Sequence, residues 1–229
     1  MTDQMALDVQ YLDFFDPLEG DSLQPDKEDE KTDSWKKELR NHRRTTEMLE
    51  IPDKALWRKA YGVEQFLDCL RFEPPKPGHS IHVITGGNVD MICYLKYLLL
   101  HYQHMNRVVI STWCLGGSEI LMLEQWHKEG RIDLYDMYTG EHCKQQYKVE
   151  WAKLERMKEA GIVRRLVCST IHCKLILCNT GREKMVVETS CNFNMNPRIE
   201  QGCITMNDEL FDFYDAYLSR LANGTEKSA

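Results

Sequence analysis

The apolar pattern of the chain changes character at one place, Glu73-Pro74-Pro75-Lys76-Pro77-Gly78. Prolines at 74, 75 and 77 hold the backbone extended and remove amide donors, so neither a helix nor a strand can run through them. Before this point the apolar residues recur at helical spacing. After it, short strand-like runs alternate with helix-spaced segments and then give way to closely spaced strands. That order predicts an α/β sandwich with a mixed sheet flanked by helices, carried on about residues 79–224.

Within that region IHVIT (81–85), RVVIST (107–112), RIDLYDMY (131–138) and IVRRLVC (162–168) read as strands. Helices are expected over 89–104, capped by Asn88, over 118–129, and over 141–160 with Gly161 ending the last. Three further strands are expected at 171–178, 184–190 and 199–206, the first two joined as a hairpin through Gly181. A final helix opens at Asn207-Asp208-Glu209 and is expected to stop at Asn223-Gly224. No short repeat is visible.

The 229-residue chain carries a formal charge of −7, but the charge is not evenly spread. Residues 1–34 hold eleven carboxylates against Lys27 and Lys31, a net of −9, so the remainder is +2. Residues 36–59 are locally basic, and they sit in a segment, 35–78, read as helices over 35–49 (capped by Ser34) and 53–72 and then the proline linker. The acidic tail reads in two ways. It is a disordered, solubilising tail; or Val9, Tyr11, Leu12, Phe14, Phe15, Leu18 and Leu23 make it a docking segment for a protein partner or a basic surface. Overall acidity therefore does not exclude a phosphate-bearing polymer.

The N-terminus has no secretory pattern, and the most apolar stretch, ICYLKYLLLHY (92–102), is short and contains Lys96, so no membrane association is expected. Nine irregularly spaced cysteines with no CxxC point to a reducing, cytoplasmic setting. Zinc held by Cys168, His172, Cys173 and Cys178 is a minor alternative, since Cys173 would face away from His172 on a strand.

The chemistry concentrates in residues 171–201, IHCKLILCNTGREKMVVETSCNFNMNPRIEQ. On a strand, His172 and Lys174 share one face, and Ser190, Asn192 and Asn194 share another strand's face, with Glu200 on a third. An imidazole can attack phosphorus or protonate a leaving oxygen, and ammonium and amide donors stabilise charge on non-bridging oxygens. Glu200 either holds the imidazole in one tautomer or serves as a surface ion-pair partner. Trp113 either lines this site or packs in the core. His79, His82, His101, His104, His127 and His142 have no partner spacing and read as structural or surface residues. The glycines at 86–87 and 116–117 read as ordinary strand-to-helix turns.

At this point the sequence resembles the phospholipase D superfamily. His172-Cys173-Lys174 matches its His-x-Lys element, Ser190-Cys191-Asn192 its Ser-x-Asn element, and Glu200 its later acidic position; the resemblance covers about 80–222. Two positions depart from the pattern: Asn179 stands for the motif's aspartate and Thr189 for the glycine before the serine. The resemblance implies a phospholipase D-like fold, no cofactor or metal ion, and a site made of His172, Lys174, Asn192, Ser190 and Glu200. One motif per chain implies a homodimer sharing a single site at the two-fold axis, with one His172 as nucleophile and the other as general acid. The short chain and its basic segment favour a nuclease bound to DNA or RNA through backbone phosphates. The rival, favoured by Asn179 and Thr189, is a catalytically weak or inactive module that binds nucleic acid or serves in assembly.

Overall fold

The computed structural model describes residues 66–67, 73–87, 89–194 and 197–226. The chain divides into a unit of Met1–Glu50 and a unit of Ile51–Ala229, and every described residue belongs to the second. The acidic tail 1–34, the basic stretch 36–59, the two N-terminal helices apart from Phe66 and Leu67, and the Asn88 cap lie outside the described residues.

Among the described residues, seven strands and five helices follow in the order β1 (Ser80–Thr85), α1 (Met91–Tyr102), β2 (Arg107–Thr112), α2 (Gly117–Lys128), β3 (Tyr135–Gly140), α3 (Glu141–Gln146), α4 (Lys148–Glu159), β4 (Val163–Ser169), β5 (Leu175–Asn179), β6 (Lys184–Thr189), β7 (Glu200–Met206) and α5 (Asp208–Glu226). They build one mixed sheet, β1-β7-β6-β5-β2-β3-β4. β2, β3 and β4 run parallel, and the other pairs are antiparallel. The expected class, an α/β fold with a mixed sheet between helices, is what the chain forms.

Two cores cover the sheet. Met91, Tyr94, Leu95 and Leu98 of α1, Ile120 and Leu123 of α2, and Trp151 and Leu154 of α4 pack on one face against Val108, Ile110, Met137, Ile176, Val187 and Ile204. Phe66 is part of this core and meets Tyr94 edge-on at 4.7 Å. The opposite face is covered by α5, through Phe211, Leu218 and Ala222 on Val109, Tyr138, Leu177 and Val186. The near-continuous apolar runs of β2 and β5 follow from burial on both faces.

Local signals explain most boundaries. Gly161, with φ +77°, ends α4: its amide bonds the Lys158 carbonyl and the Ile162 amide bonds the Met157 carbonyl, closing the last turn. The β5–β6 hairpin turns at Asn179, whose Oδ1 accepts the Gly181 amide at 2.7 Å.

Four expectations are corrected. The helix read over 141–160 is two helices, broken at Tyr147 (φ −105°, ψ 55°). β3 begins at Tyr135, because residues 131–134 are bonded instead to the turn before β2, with Met105 donating to the Arg131 carbonyl and Asp133 to the Met105 carbonyl. α5 runs through Asn223-Gly224 to Glu226, since one glycine only weakens a helix by about 1 kcal/mol. Finally, β5 starts at Leu175, so His172 and Lys174 precede the strand. Its partner β2 turns away after Thr112 to bridge Phe193 through Leu115, which leaves 171–174 beyond the β2 ladder.

Candidate active site

One edge of the sheet gathers the C-terminal ends of β1, β2, β3, β4 and β6 and the N-terminal ends of β5 and β7. In open α/β sheets, ligands bind beyond the carboxyl ends of the parallel strands. Four of the five residues singled out by the sequence (His172, Lys174, Ser190 and Glu200) lie at this edge, and Asn192 follows two residues after Ser190.

His172 and Lys174 sit in an extended segment fixed from both sides. The Ser111 hydroxyl donates to the Cys173 carbonyl at 3.0 Å, and the Thr189 amide donates to the Lys174 carbonyl at 3.2 Å. His172 is exposed and Lys174 half-buried. The Lys174 ammonium lies 3.1 Å from His172 Nδ1 and 3.3 Å from Nε2, and donates to the His172 carbonyl at 2.9 Å. Partial burial lowers the Lys174 pKa below the usual lysine value, while Cys114, Glu200 and Cys173 pull the other way.

The second pair is Ser190 and Glu200. Glu200 is buried at the start of β7, and its Oε2 accepts the Ser190 hydroxyl. Ser190 Oγ in turn accepts the Gln201 amide at 3.0 Å. Glu200 also acts electrostatically on Lys174, which links the two pairs. Ser190 and Asn192 lie in the loop after β6 rather than on a strand, as β6 ends at Thr189. The Asn192 carbonyl accepts the Met91 amide at the start of α1 at 3.1 Å. Its Oδ1 is buried and accepts no hydrogen bond from the described residues. Asn194 accepts from the Cys114 thiol at 3.2 Å.

The two departures from the motif have visible roles. Asn179 forms the hairpin turn at the opposite end of β5 from His172. The Thr189 hydroxyl donates to the Gln201 carbonyl at 2.7 Å and accepts the Cys191 amide at 3.1 Å, fastening β6 to β7 beside Ser190.

Two further residues join the site. Trp113, directly after β2, stacks on His142 at 4.7 Å with 7° between the ring planes, and lies 5.5 Å from His172. Gly140 permits this, because a Cβ there would press on Trp113 and on the Ile171 carbonyl. Trp113 therefore lines the site. Histidine spacing alone marks His142 as structural or surface, and the structure places it in this ring cluster. Trp113, His142 and His172 each follow a parallel strand's C-terminal end by one to three residues, a positional signal that histidine spacing does not carry.

The four residues weighed for zinc do not converge. Cys178 is buried in the α1-side core, whereas Cys173 is exposed and 3.3 Å from the Ser111 hydroxyl. Among the described residues, no group of three or more His, Cys, Asp or Glu is placed to hold a metal ion. No helix of the described residues is long and apolar enough to cross a membrane.

By sequence, the chain matches no protein-family model and no curated protein. Among solved structures it is similar to a polyphosphate kinase from Porphyromonas gingivalis, with 18% identity, TM-score 0.47, and 64% of this chain covering 26% of that one. It is similar to a phosphatidylserine synthase from Haemophilus influenzae Rd KW20, with 12% identity, TM-score 0.44, and 62% covering 37%. It is also similar to TrmBL2, an archaeal chromatin protein that binds DNA, with 10% identity, TM-score 0.44, and 82% covering 65%. The chain thus spans less than two thirds of each of these proteins. At such TM-scores the likenesses carry no conclusion about function.

Proposed function

We propose that the chain is a phosphodiesterase acting on nucleic acid through a phosphohistidine on His172. The observation that carries this reading is the Lys174 ammonium standing 3.1 Å from the ring of an exposed histidine at the carboxyl edge of the sheet. The resemblance of His172-x-Lys174 and Ser190-x-Asn192 to the phospholipase D superfamily supports it.

In this reading a ring nitrogen of His172 attacks phosphorus, a P–N bond forms and the bond to the leaving oxygen breaks. A second imidazole gives its proton to that oxygen. The same imidazole, now neutral, takes a proton from water as water attacks phosphorus, and the P–N bond breaks to release the phosphorylated product. Lys174 offsets charge on the non-bridging oxygens throughout. The second imidazole comes from His172 of a second copy, so the active species is a homodimer with one shared site. No step in the sequence calls on a metal ion. The cysteines described are free thiols, which fits the proposed reducing, cytoplasmic setting. In the same reading the acidic segment 1–34 either docks a protein partner through its aromatic residues or serves as a solubilising tail.

The rival reading, a non-catalytic nucleic-acid-binding or assembly module, is favoured by Thr189 standing where a glycine is expected. One experiment separates the two. Wild type and His172→Ala are incubated with labelled single-stranded and duplex nucleic acid in EDTA. Cleavage by wild type alone is the expected result; equal binding with no cleavage by either gives the chain to the rival.

A further inference from the structure

α5 covers only part of its face of the sheet. Beyond it, β7 and β1 continue with Gln201, Cys203 and Thr205 and with Ser80, His82 and Ile84 on that side, and Ile84 is 77% exposed. Between α5 and this uncovered floor lies a groove of about 770 Å³. Its α5 wall includes Phe213 and Tyr217, its floor includes His82, Glu188 and Gln201, and His172, Cys173 and Lys174 also line it.

We propose that this groove holds the unpaired bases of a single-stranded nucleic acid whose phosphate reaches His172 and Lys174. The inference rests on the phosphodiesterase reading for where the phosphate lies, and it adds the strand class that the reading leaves open.

Three observations carry it. Phe213 and Tyr217 are 63% and 55% exposed, an uncommon state for large rings, and they are four residues apart on one helix, so they are neighbours on its surface about 6 Å apart. Two such rings form a platform for consecutive bases, and only bases freed from a duplex stack can use it. Second, the Arg220 guanidinium stands 6.0 Å from the Tyr217 ring, adding positive charge beside the platform. Third, polar groups stand on the floor among apolar ones. Glu188 accepts the Tyr214 hydroxyl at 2.5 Å, and His82 lies 3.8 Å from the Cys203 thiol. An acyl chain laid over His82, Gln201 and Glu188 would strip them of water without replacing its hydrogen bonds, whereas base edges carry donors and acceptors.

The test uses the full chain. Binding of labelled oligothymidylate, of the same strand in a duplex, and of phosphatidylglycerol vesicles is measured in EDTA for wild type, Phe213→Ala, Tyr217→Ala, the double variant and Phe213→Trp, with thermal unfolding confirming that each is folded. Each alanine should weaken single-strand binding about tenfold, leave duplex binding unchanged, and be matched by full retention in Phe213→Trp. Unchanged single-strand affinity in the double variant overturns the proposal, as does an equal loss on duplex. Loss of vesicle binding with oligonucleotide binding intact gives the groove to lipid and overturns it as well. Cleavage of the same strand is scored separately. Binding that depends on the rings but is followed by no cleavage upholds the groove and sinks the phosphodiesterase reading; cleavage with ring-independent binding sinks the groove alone.

Discussion

The two ends of the central sheet treat positive charge in opposite ways. Where β2 begins, Arg107 donates to Asp136 at 2.8 Å and to both oxygens of Asp215 on α5 at 2.8 and 2.5 Å, and Arg164 donates to the same Asp136. Asp136 is fully buried. Burial would lower the pKa of Arg107, but Asp215 and Asp136 more than offset this and raise it. At the carboxyl edge Lys174 meets an imidazole and a backbone carbonyl, and there burial wins and its pKa falls. The first cluster is paired within the fold: Arg107 ties Asp215 of α5 to Asp136, and Arg164 shares that aspartate. The second lies open beside an exposed histidine and a groove. Charge that is answered by a direct ion pair serves the fold, and charge that a carboxylate reaches only electrostatically, as Glu200 reaches Lys174, is left able to meet an incoming anion.

Substitutions can break this contrast from either side. The largest effect is expected from His172→Ala, which should lower turnover by more than about 10⁴-fold while leaving the unfolding midpoint in place, because a nucleophile has no substitute in the site. Steady-state rates and thermal unfolding on the same preparations check both halves. Asp136→Asn should do the reverse. Removing the buried charge between Arg107 and Arg164 should cost about 3–5 kcal/mol in urea unfolding, with turnover per folded molecule unchanged. Lys174→Ala should reduce turnover about 10²–10³-fold with a much smaller effect on stability.

The pH dependence sharpens the contrast further. Burial disfavours the charged form of Lys174, so its folded pKa lies below its unfolded one. As pH rises from that lowered value towards the ordinary lysine value, the unfolded chain holds the proton longer, and this residue's contribution to stability improves. Turnover moves in the opposite direction, since the ammonium is lost. The alkaline limb of the pH–rate profile is thus expected below the ordinary lysine value, and Lys174→Arg should move it upward. The smallest effect belongs to Glu200→Gln. It keeps an acceptor for Ser190 but removes the charge acting on Lys174, and should lower turnover about tenfold, within the range of a single positioning contact.

The sequence made the class of fold legible because its cues are local: the proline boundary, the strand–helix alternation, and Gly161 and Gly181 at turns. β2, β6 and β7 fall within one residue of their expected bounds. The misreadings arise where a distant partner decides. His172 and Lys174 alternate like strand residues, but β2 turns towards Phe193 and leaves them without a ladder partner on its side. His142 becomes a site residue only because β3 ends beside β2 and β4, bringing it onto Trp113. The groove has no sequence signature at all, since it joins α5 to strands up to about 130 residues earlier in the chain. The pairing of Ser190 with Glu200 is half legible: the motif spacing marks both residues, but the hydroxyl-to-carboxylate bond follows from the β6–β7 register.

The proposed reaction forms a covalent bond to phosphorus at His172, at the open end of the sheet. Its most direct test is to mix the full chain with a labelled single-stranded oligonucleotide in EDTA, quench in alkali within the turnover time, and map any adduct by mass spectrometry. The expected result is a phosphoramidate on His172, stable in base, lost in acid and absent from His172→Ala. Cleavage of the oligonucleotide without an adduct, or with an adduct on another residue, would contradict it.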